Sequence, residues 1–193
     1  MSTVVCGPHG SESESEEPQL GARLGSGNNG VVFQSPTHAD RVIKRTWLWS
    51  EYYDLMQANE VAPGVSPACY GLQMYQATAY IEMQKIEGPT LDMFLKVRHS
   101  VEEWSSCDEK LERFARFMSR PQRFEYLDWK LNNIMMGPAG LVLVDWANCE
   151  FSDEPVFRNY MGLRALFERR FDALWGKLPK TAALDASILK DAH

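Results

Sequence analysis

Apolar and polar positions divide the chain into a polar start, a strand-rich half and a helix-rich half. Residues 1–18 include a run of alternating Ser and Glu and have no periodic apolar pattern, which predicts a disordered tail whose composition suits an export signal. Short apolar runs dominate residues 19–88, whereas longer stretches with helical spacing dominate residues 89–193. The pattern predicts an α+β fold with a small β-rich N-terminal lobe and a mostly helical C-terminal lobe.

One predicted helix interrupts the strands of the N-terminal half. Its cap is Thr46 or Ser50, and it ends near Asn59. The apolar positions that recur at helical spacing are Leu48, Tyr52, Leu55 and Met56.

The C-terminal half predicts two long helices and one hairpin. Ser100 and Glu103 form a capping box ahead of the first helix, and Gly176 ends the second. The hairpin consists of the apolar strands IMM and LVLVD, joined by a turn at residues 137–140. The predicted buried positions are Trp104, Cys107, Leu111, Phe114, Ala115 and Met118 on the first helix, and Tyr160, Leu163, Leu166, Phe167, Phe171, Leu174 and Trp175 on the second.

Polar side chains stand at both ends of this hairpin. The segment DWKLNN, residues 128–133, precedes it, and Asp145 ends its second strand. A hairpin between them would present Asp128 and Asp145 on one side of the fold. The simpler alternative is a buried hairpin whose acidic ends have no chemical role.

A glycine-rich segment lies about a hundred residues upstream. In LGSGNNGVVF, the glycines are Gly25, Gly27 and Gly30, and the apolar run that follows ends at Lys44. Glycines let a backbone bend sharply and bring its N–H groups close to phosphates. An ordinary hairpin with an Asn-Gly turn is the alternative. A dinucleotide-binding turn would need a helix after the glycines, whereas Val31–Phe33 continues as strand.

Taken in order, these segments resemble the protein kinases: a glycine-rich loop, a strand lysine, a DxKxxN loop and a second aspartate. The resemblance implies a minimal bilobal protein-kinase-like fold that uses ATP and Mg²⁺. The chain departs from the kinase pattern at Tyr126, at Leu127 and at Trp146-Ala147, where kinases have His, Arg and Phe-Gly.

The same resemblance assigns roles to individual residues. Asp128 would accept the proton of the attacking hydroxyl, and Lys130 would steady the transferring phosphate. Lys44 would hold the ATP phosphates with Gly25, Gly27 and Gly30, while Asn133 and Asp145 would hold magnesium.

Two further site predictions complete the set. Glu51 is the expected partner of Lys44, with Glu60 in reserve, and a solvent-exposed helix glutamate is the alternative. Met83 would lie at the back of the adenine pocket, with the backbone from Gln84 to Ile86 binding the adenine edge. The alternative there is an edge strand that leads into the Gly88-Pro89 turn.

Length narrows the class of kinase. Only 48 residues of the 193-residue chain follow Asp145, and no APE motif appears among them. Residues 89–193 would therefore form a truncated C-terminal lobe after an N-terminal lobe and hinge at residues 19–88. Such a chain resembles the HopBF family of type III effectors, which are minimal serine/threonine kinases that phosphorylate the host chaperone Hsp90. This resemblance implies a virulence protein, made in the bacterial cytosol and secreted into the host cytosol.

Two other functions stay open. Small-molecule kinases of the aminoglycoside and choline type also place an aromatic residue after the metal-binding Asp, as Asp145-Trp146 does. Lys130 favours protein kinases, because the small-molecule enzymes generally lack it. A pseudokinase that only binds partners is the third alternative, although Lys44, Asp128 and Asn133 are all retained.

Composition limits the partners. The net charge of −6 and pI near 5.3 disfavour nucleic acid, which needs a basic surface. No apolar stretch is long enough to predict a membrane span. The four cysteines have no paired spacing and predict reduced thiols in a cytosolic environment. We expect a monomer whose partner is a protein substrate.

The first testable prediction concerns activation. In many kinases, an Arg before the catalytic Asp needs a phosphate on the activation loop to neutralise it, and Leu127 removes that need. Protein purified from bacteria should therefore transfer phosphate without prior phosphorylation, with residues 148–158 held by packing of Phe151 and Phe157. Mass spectrometry of the active protein checks its phosphorylation state. Activity that appears only after phosphorylation within residues 148–158, and that Ser152→Ala blocks, would contradict it.

Overall fold

The computed structural model describes residues 16–120, 123–126, 129–147, 149–152 and 157–175. The described part is an α+β fold with an antiparallel sheet in its N-terminal half and helices in its C-terminal half. Of the predicted tail at residues 1–18, residues 1–15 lie outside the described residues, as do Leu127, Asp128, Gly176 and, within the predicted segment 148–158, residues 148 and 153–156. The predicted packing of Phe151 and Phe157 also lies outside what the structure describes.

Five strands form the N-terminal sheet in the order β1-β2-β3-β5-β4, and helix α1 lies between β3 and β4 in sequence. Every neighbouring pair is antiparallel. The element bounds are β1 Arg23–Gly27, β2 Gly30–Gln34, β3 Arg41–Thr46, α1 Ser50–Val61, β4 Cys69–Tyr75 and β5 Thr78–Gln84.

The described residues of the C-terminal half form three α-helices and two small two-stranded sheets. β6 pairs with β9 and β7 pairs with β8, both antiparallel, and a single 3₁₀ turn at Leu131–Asn133 precedes β7. The bounds are α2 Leu91–Leu95, α3 Val101–Met118, β6 Arg123–Tyr126, β7 Ile134–Met136, β8 Leu141–Leu143, β9 Cys149–Ser152 and α4 Phe157–Trp175.

Helix α1 forms where the sequence predicts it, but its start and its buried face differ from the prediction. The N-cap is Trp49, without a side-chain hydrogen bond, so neither Thr46 nor Ser50 caps the helix. Thr46 is the last residue of β3, which places its hydroxyl too early in the chain to reach the first helical turn. The buried positions are Glu51, Leu55 and Ala58, whereas Met56 is exposed, Tyr52 is half-buried and Leu48 precedes the helix.

Helices α3 and α4 pack against each other, and both supply side chains to the hydrophobic core. The capping box of Ser100 and Glu103 forms at the start of α3 as predicted. Leu111, Phe114 and Met118 of α3 and Leu163 and Phe167 of α4 belong to one buried cluster. Three of the positions predicted to be buried on α4 are not: Leu166 and Trp175 are half-buried, and Leu174 is exposed. On α3, the predicted buried position Trp104 is half-buried as well.

The residues just before β1 already contact the sheet. The Tyr80 hydroxyl donates to Glu17 Oε1 at 3.0 Å, and the Gln73 side-chain amide donates to the Glu16 carbonyl at 3.0 Å. Among the described residues, no helix is both long and apolar enough to span a membrane.

Candidate functional site

A buried lysine lies at the centre of the candidate site. Lys44 is 6% exposed, and its Nζ donates hydrogen bonds to Glu51 Oε1 and, at 3.0 Å, to Asp145 Oδ1. A buried ammonium is costly unless its charge is paired and its donors are used. The two carboxylates meet that requirement here.

Three elements bring these side chains together. Lys44 lies on β3, where it pairs with Val32 of β2 and Ile81 of β5 and is therefore fixed near the middle of the sheet. Glu51 is in the first turn of α1, and Asp145 follows β8. The predicted pairing of Lys44 with Glu51 is confirmed, and the reserve candidate Glu60 is exposed.

The pKa values of Glu51 and Lys44 both depart from their ordinary values. Burial raises the pKa of Glu51 to about 7, against the opposing charge and hydrogen bond of Lys44. Burial alone would lower the pKa of Lys44, but the charges of Glu51 and Asp145 and their hydrogen bonds outweigh it and raise that pKa. The backbone N–H of Trp146 also stabilises the ionised form of Glu51.

The lysine opens onto a cleft of about 880 Å³ between the sheet and the β7–β8 hairpin. The β1–β2 loop, residues 25–30, forms its roof, and all three predicted glycines line it. Val42 and Met83 line the sheet side, while Met135 and Val144 come from the hairpin side. Apolar side chains on both sides of the cleft, with Lys44 and Asp145 at one end, suit a ligand that has an aromatic ring and an anionic tail.

The segment after β5 forms the rear edge of the cleft. The Gln84 N–H donates to the Ala68 carbonyl at 2.8 Å, and the Lys85 N–H donates to the Asp40 carbonyl at 2.9 Å. Ile86 makes no backbone hydrogen bond to another described residue, so its N–H and C=O are available to a ligand. Met83, Gln84 and Ile86 all line the cleft, while their expected roles around an adenine ring stay predictions.

Gly88 joins this edge to the hairpin below. Its φ is 135°, and a Cβ added there would lie 2.1 Å from the Met136 carbonyl oxygen. The Met136 N–H donates to the Pro89 carbonyl at 2.9 Å. Only glycine allows the rear edge and the hairpin to approach this closely.

The polar end of the cleft collects the remaining site residues. The Val144 N–H donates to the Asn133 carbonyl at 2.9 Å, which places Asn133 beside Asp145. Asp145 Oδ1 accepts from Lys44 and, at 3.4 Å, from the Ala147 N–H, whereas Oδ2 has no hydrogen bond to another described residue. Lys130 is exposed at the cleft mouth.

Two side chains at this corner, those of Asn133 and Asp145, could supply oxygen ligands to a metal ion. Within the described ranges, no group of three or more His, Cys, Asp or Glu side chains could hold a metal ion. The Asp145 carboxylate and the Asn133 amide oxygen provide two hard ligands. That set fits Mg²⁺, which usually binds one or two carboxylates and keeps water and phosphate oxygens as its other ligands.

Sequence reasoning missed the part played by Trp146. Its side chain is 1% exposed, and its Nε1–H donates to the Leu143 carbonyl at 2.8 Å. The indole thus anchors the residue after Asp145 to the end of β8. An aromatic residue with a polar N–H directly after the second aspartate was the available signal.

Neither a scan against protein-family models nor a search of curated proteins finds a match to this chain. The interpretation of the cleft therefore depends on its own geometry.

The glycines of the loop should differ in their effect on stability. A Cβ at Gly30 would lie 2.3 Å from the Arg45 carbonyl oxygen, whereas a Cβ at Gly25 or Gly27 meets nothing within 4 Å. Gly30→Ala should therefore lower the free energy of unfolding by about 1–3 kcal/mol, while Gly25→Ala and Gly27→Ala should melt like wild type.

If the loop covers a nucleotide, Gly25→Ala and Gly27→Ala should still weaken MgATP binding about tenfold. Thermal melting and titration calorimetry measure the two effects, and equal melting losses in all three variants would contradict the assignment.

The stability of the folded chain should depend on pH through Glu51. Its pKa rises from 4.5 to about 7 on folding, so the folded state holds an extra proton between these pH values. This stabilisation is complete below pH 4.5 and is lost as the pH rises through about 7. Between about pH 5 and about pH 8, wild type should therefore lose unfolding free energy relative to Glu51→Gln, as measured by urea unfolding. If the unfolding free energy of wild type minus that of Glu51→Gln stays constant or increases over this range, the pKa of Glu51 is not raised.

Proposed function

We propose that this chain is a minimal protein serine/threonine kinase that uses ATP and Mg²⁺. The observation that carries the proposal is the buried Lys44, held by Glu51 from a helix and by Asp145 from a hairpin beneath a glycine-rich loop. Kinases need this arrangement because the lysine must point at the α and β phosphates while the aspartate binds the metal.

The shape of the cleft supports a nucleotide as its ligand. An adenine ring would fit between Val42 and Met83 on the sheet side and Met135 on the hairpin side, with its edge toward the backbone of Ile86. The triphosphate would then extend beneath the glycine-rich loop toward Lys44. The backbone N–H groups of such a loop and the lysine charge both stabilise phosphate oxygens.

The proposed reaction forms a bond between an acceptor hydroxyl oxygen and the γ-phosphorus of ATP and breaks the bond from that phosphorus to the ADP oxygen. The proton of the hydroxyl passes to a carboxylate, a role that the kinase resemblance gives to Asp128, which lies outside the described residues. Mg²⁺, when bound, neutralises charge on the phosphate oxygens. Asn133 and Asp145 Oδ2 would hold it, and Lys130 at the mouth would face the transferring group.

A protein substrate is preferred over a small molecule because of Lys130, which protein kinases have at this place and small-molecule kinases generally lack. In the described part of the chain, α4 is the only helix that follows the β7–β8 hairpin. The large helical insertions that enclose small substrates in aminoglycoside and choline kinases have no counterpart in these residues. The Hsp90 chaperone as target, and secretion into a host cell, come from the resemblance to the HopBF family alone.

Asp145→Ala should abolish phosphoryl transfer and leave the fold intact. The side chain is one-quarter exposed, and the charge of Lys44 stays paired with Glu51 in the variant, so the loss of Asp145 affects metal binding more than the fold. The assay incubates purified protein with labelled ATP and Mg²⁺ against a complete eukaryotic lysate. Asp145→Asn, which keeps the shape but not the charge, is the matched variant and should also be inactive.

Each possible result of that assay decides between the candidate functions. Labelled proteins with wild type, and none with either variant, would support the kinase proposal. Turnover of aminoglycosides or choline without any labelled protein would indicate a small-molecule kinase. No transfer to any acceptor, with MgATP bound or not, would indicate a pseudokinase, and near wild-type transfer by Asp145→Ala would refute the metal-site assignment.

A further inference from the structure

A buried threonine links the glycine-rich loop to the helix that carries Glu51. Thr46 is 1% exposed at the end of β3. Its hydroxyl donates a hydrogen bond to the Asn29 carbonyl at 2.6 Å and accepts one from the Leu48 N–H at 3.1 Å. Both hydrogen-bonding functions of this side chain are therefore used inside the protein.

The two partners belong to different parts of the site. Asn29 is at the tip of the β1–β2 loop, directly before Gly30. Leu48 belongs to the short connection between β3 and α1, and its carbonyl accepts the Glu51 N–H at 3.1 Å. A continuous set of hydrogen bonds thus runs from the loop tip through Thr46 and Leu48 to the residue that holds Lys44.

The close approach of β2 and β3 makes this link possible. Gly30 pairs with Thr46, and a Cβ at Gly30 would lie 3.2 Å from the Thr46 Cβ. Without a side chain at residue 30, the loop tip comes down onto β3 until the Asn29 carbonyl reaches the hydroxyl. A glycine-rich hairpin tip has high conformational entropy, so one buried hydrogen bond has a large influence on its position.

We propose that Thr46 is a positioning residue of the nucleotide site: its hydroxyl holds the glycine-rich loop over Lys44 and couples the loop to Glu51. The inference rests on the proposed function, because only a bound nucleotide gives the loop position a functional consequence. Thr46 itself does not line the cleft. Its effect on a ligand passes through the backbone of residues 25–30.

Two substitutions separate the hydroxyl from the shape of the side chain. Thr46→Val keeps the volume and the branching but removes both hydrogen bonds, while Thr46→Ser keeps the hydroxyl. Thr46→Val should raise KM for MgATP about fivefold and change kcat less than about twofold, because a neutral hydrogen bond to the loop is lost before chemistry begins. Thr46→Ser should stay close to wild type.

A control variant makes the same chemical change elsewhere in the sheet. Thr78 begins β5, is half-buried, and its hydroxyl bonds to no other described residue. Thr78→Val should therefore leave KM and kcat unchanged. If Thr46→Val melts below the assay temperature, Thr46→Ser and Thr46→Ala, which differ only in the hydroxyl, replace it as the deciding pair.

Hydrogen exchange of the nucleotide-free proteins tests the link without any reference to activity. Amides of residues 25–30 and of Leu48 should exchange about fivefold faster in Thr46→Val than in wild type, with Thr46→Ser and Thr78→Val unchanged. Faster exchange together with the raised KM supports the proposal. An unchanged KM or unchanged exchange in Thr46→Val overturns it, as does a Thr46→Ser variant as impaired as Thr46→Val.

Different results would refute the kinase function and the role of Thr46. A wild-type protein that neither binds nor turns over MgATP would refute the proposed function, and this inference with it. An active wild type whose Thr46→Val variant has the same KM would refute only the role of Thr46.

Discussion

The placement of one charged amine in the protein interior is the constraint on which the site depends. Lys44 and Asp145 are 101 residues apart in the chain, yet their side chains meet at 3.0 Å. A buried ammonium without partners would destabilise the fold, so β3, α1 and the β7–β8 hairpin must adopt a mutual arrangement that supplies Glu51 and Asp145. The lysine therefore couples the fold of the sheet to that of the hairpin, and the cleft between them follows from this coupling.

Several contacts around the lysine keep this arrangement from relaxing. Trp146 is anchored to the Leu143 carbonyl, and its backbone N–H bonds to Glu51. The residue that bonds to Lys44, Asp145, and the residue that bonds to Glu51, Trp146, are therefore neighbours in one segment. On the opposite side, Gly88 allows the rear edge to touch the hairpin at the Met136 carbonyl. Lys44, Trp146 and Gly88 thus mark three separate contacts between the N-terminal half of the fold and the segment at residues 134–147.

The sequence predicts the regular parts of this structure well and the connections poorly. The β7–β8 hairpin, the α3 capping box and the Lys44–Glu51 pair could all be predicted, because each depends on local patterns or on a motif with fixed spacing. The start of α1 could not. Thr46 looks like a helix cap in the sequence, but the partner of its hydroxyl, the Asn29 carbonyl, is brought close only by strand pairing. The role proposed for Asp128 remains a prediction, since this residue lies outside the described part of the chain.

Helix α4 helps to position the segment that bears Lys130. Trp129, directly before Lys130, packs beside Phe114 of α3 with ring centroids 6.3 Å apart. A Cβ at Gly162 of α4 would lie 3.2 Å from the Trp129 ring, so this mid-helix glycine provides the room that the indole occupies. Glycine costs about 1 kcal/mol relative to alanine inside a helix. Gly162 thus lowers the helix propensity of α4 but lets Trp129 pack directly against it. This contact fixes the position of Trp129 and of the neighbouring Lys130.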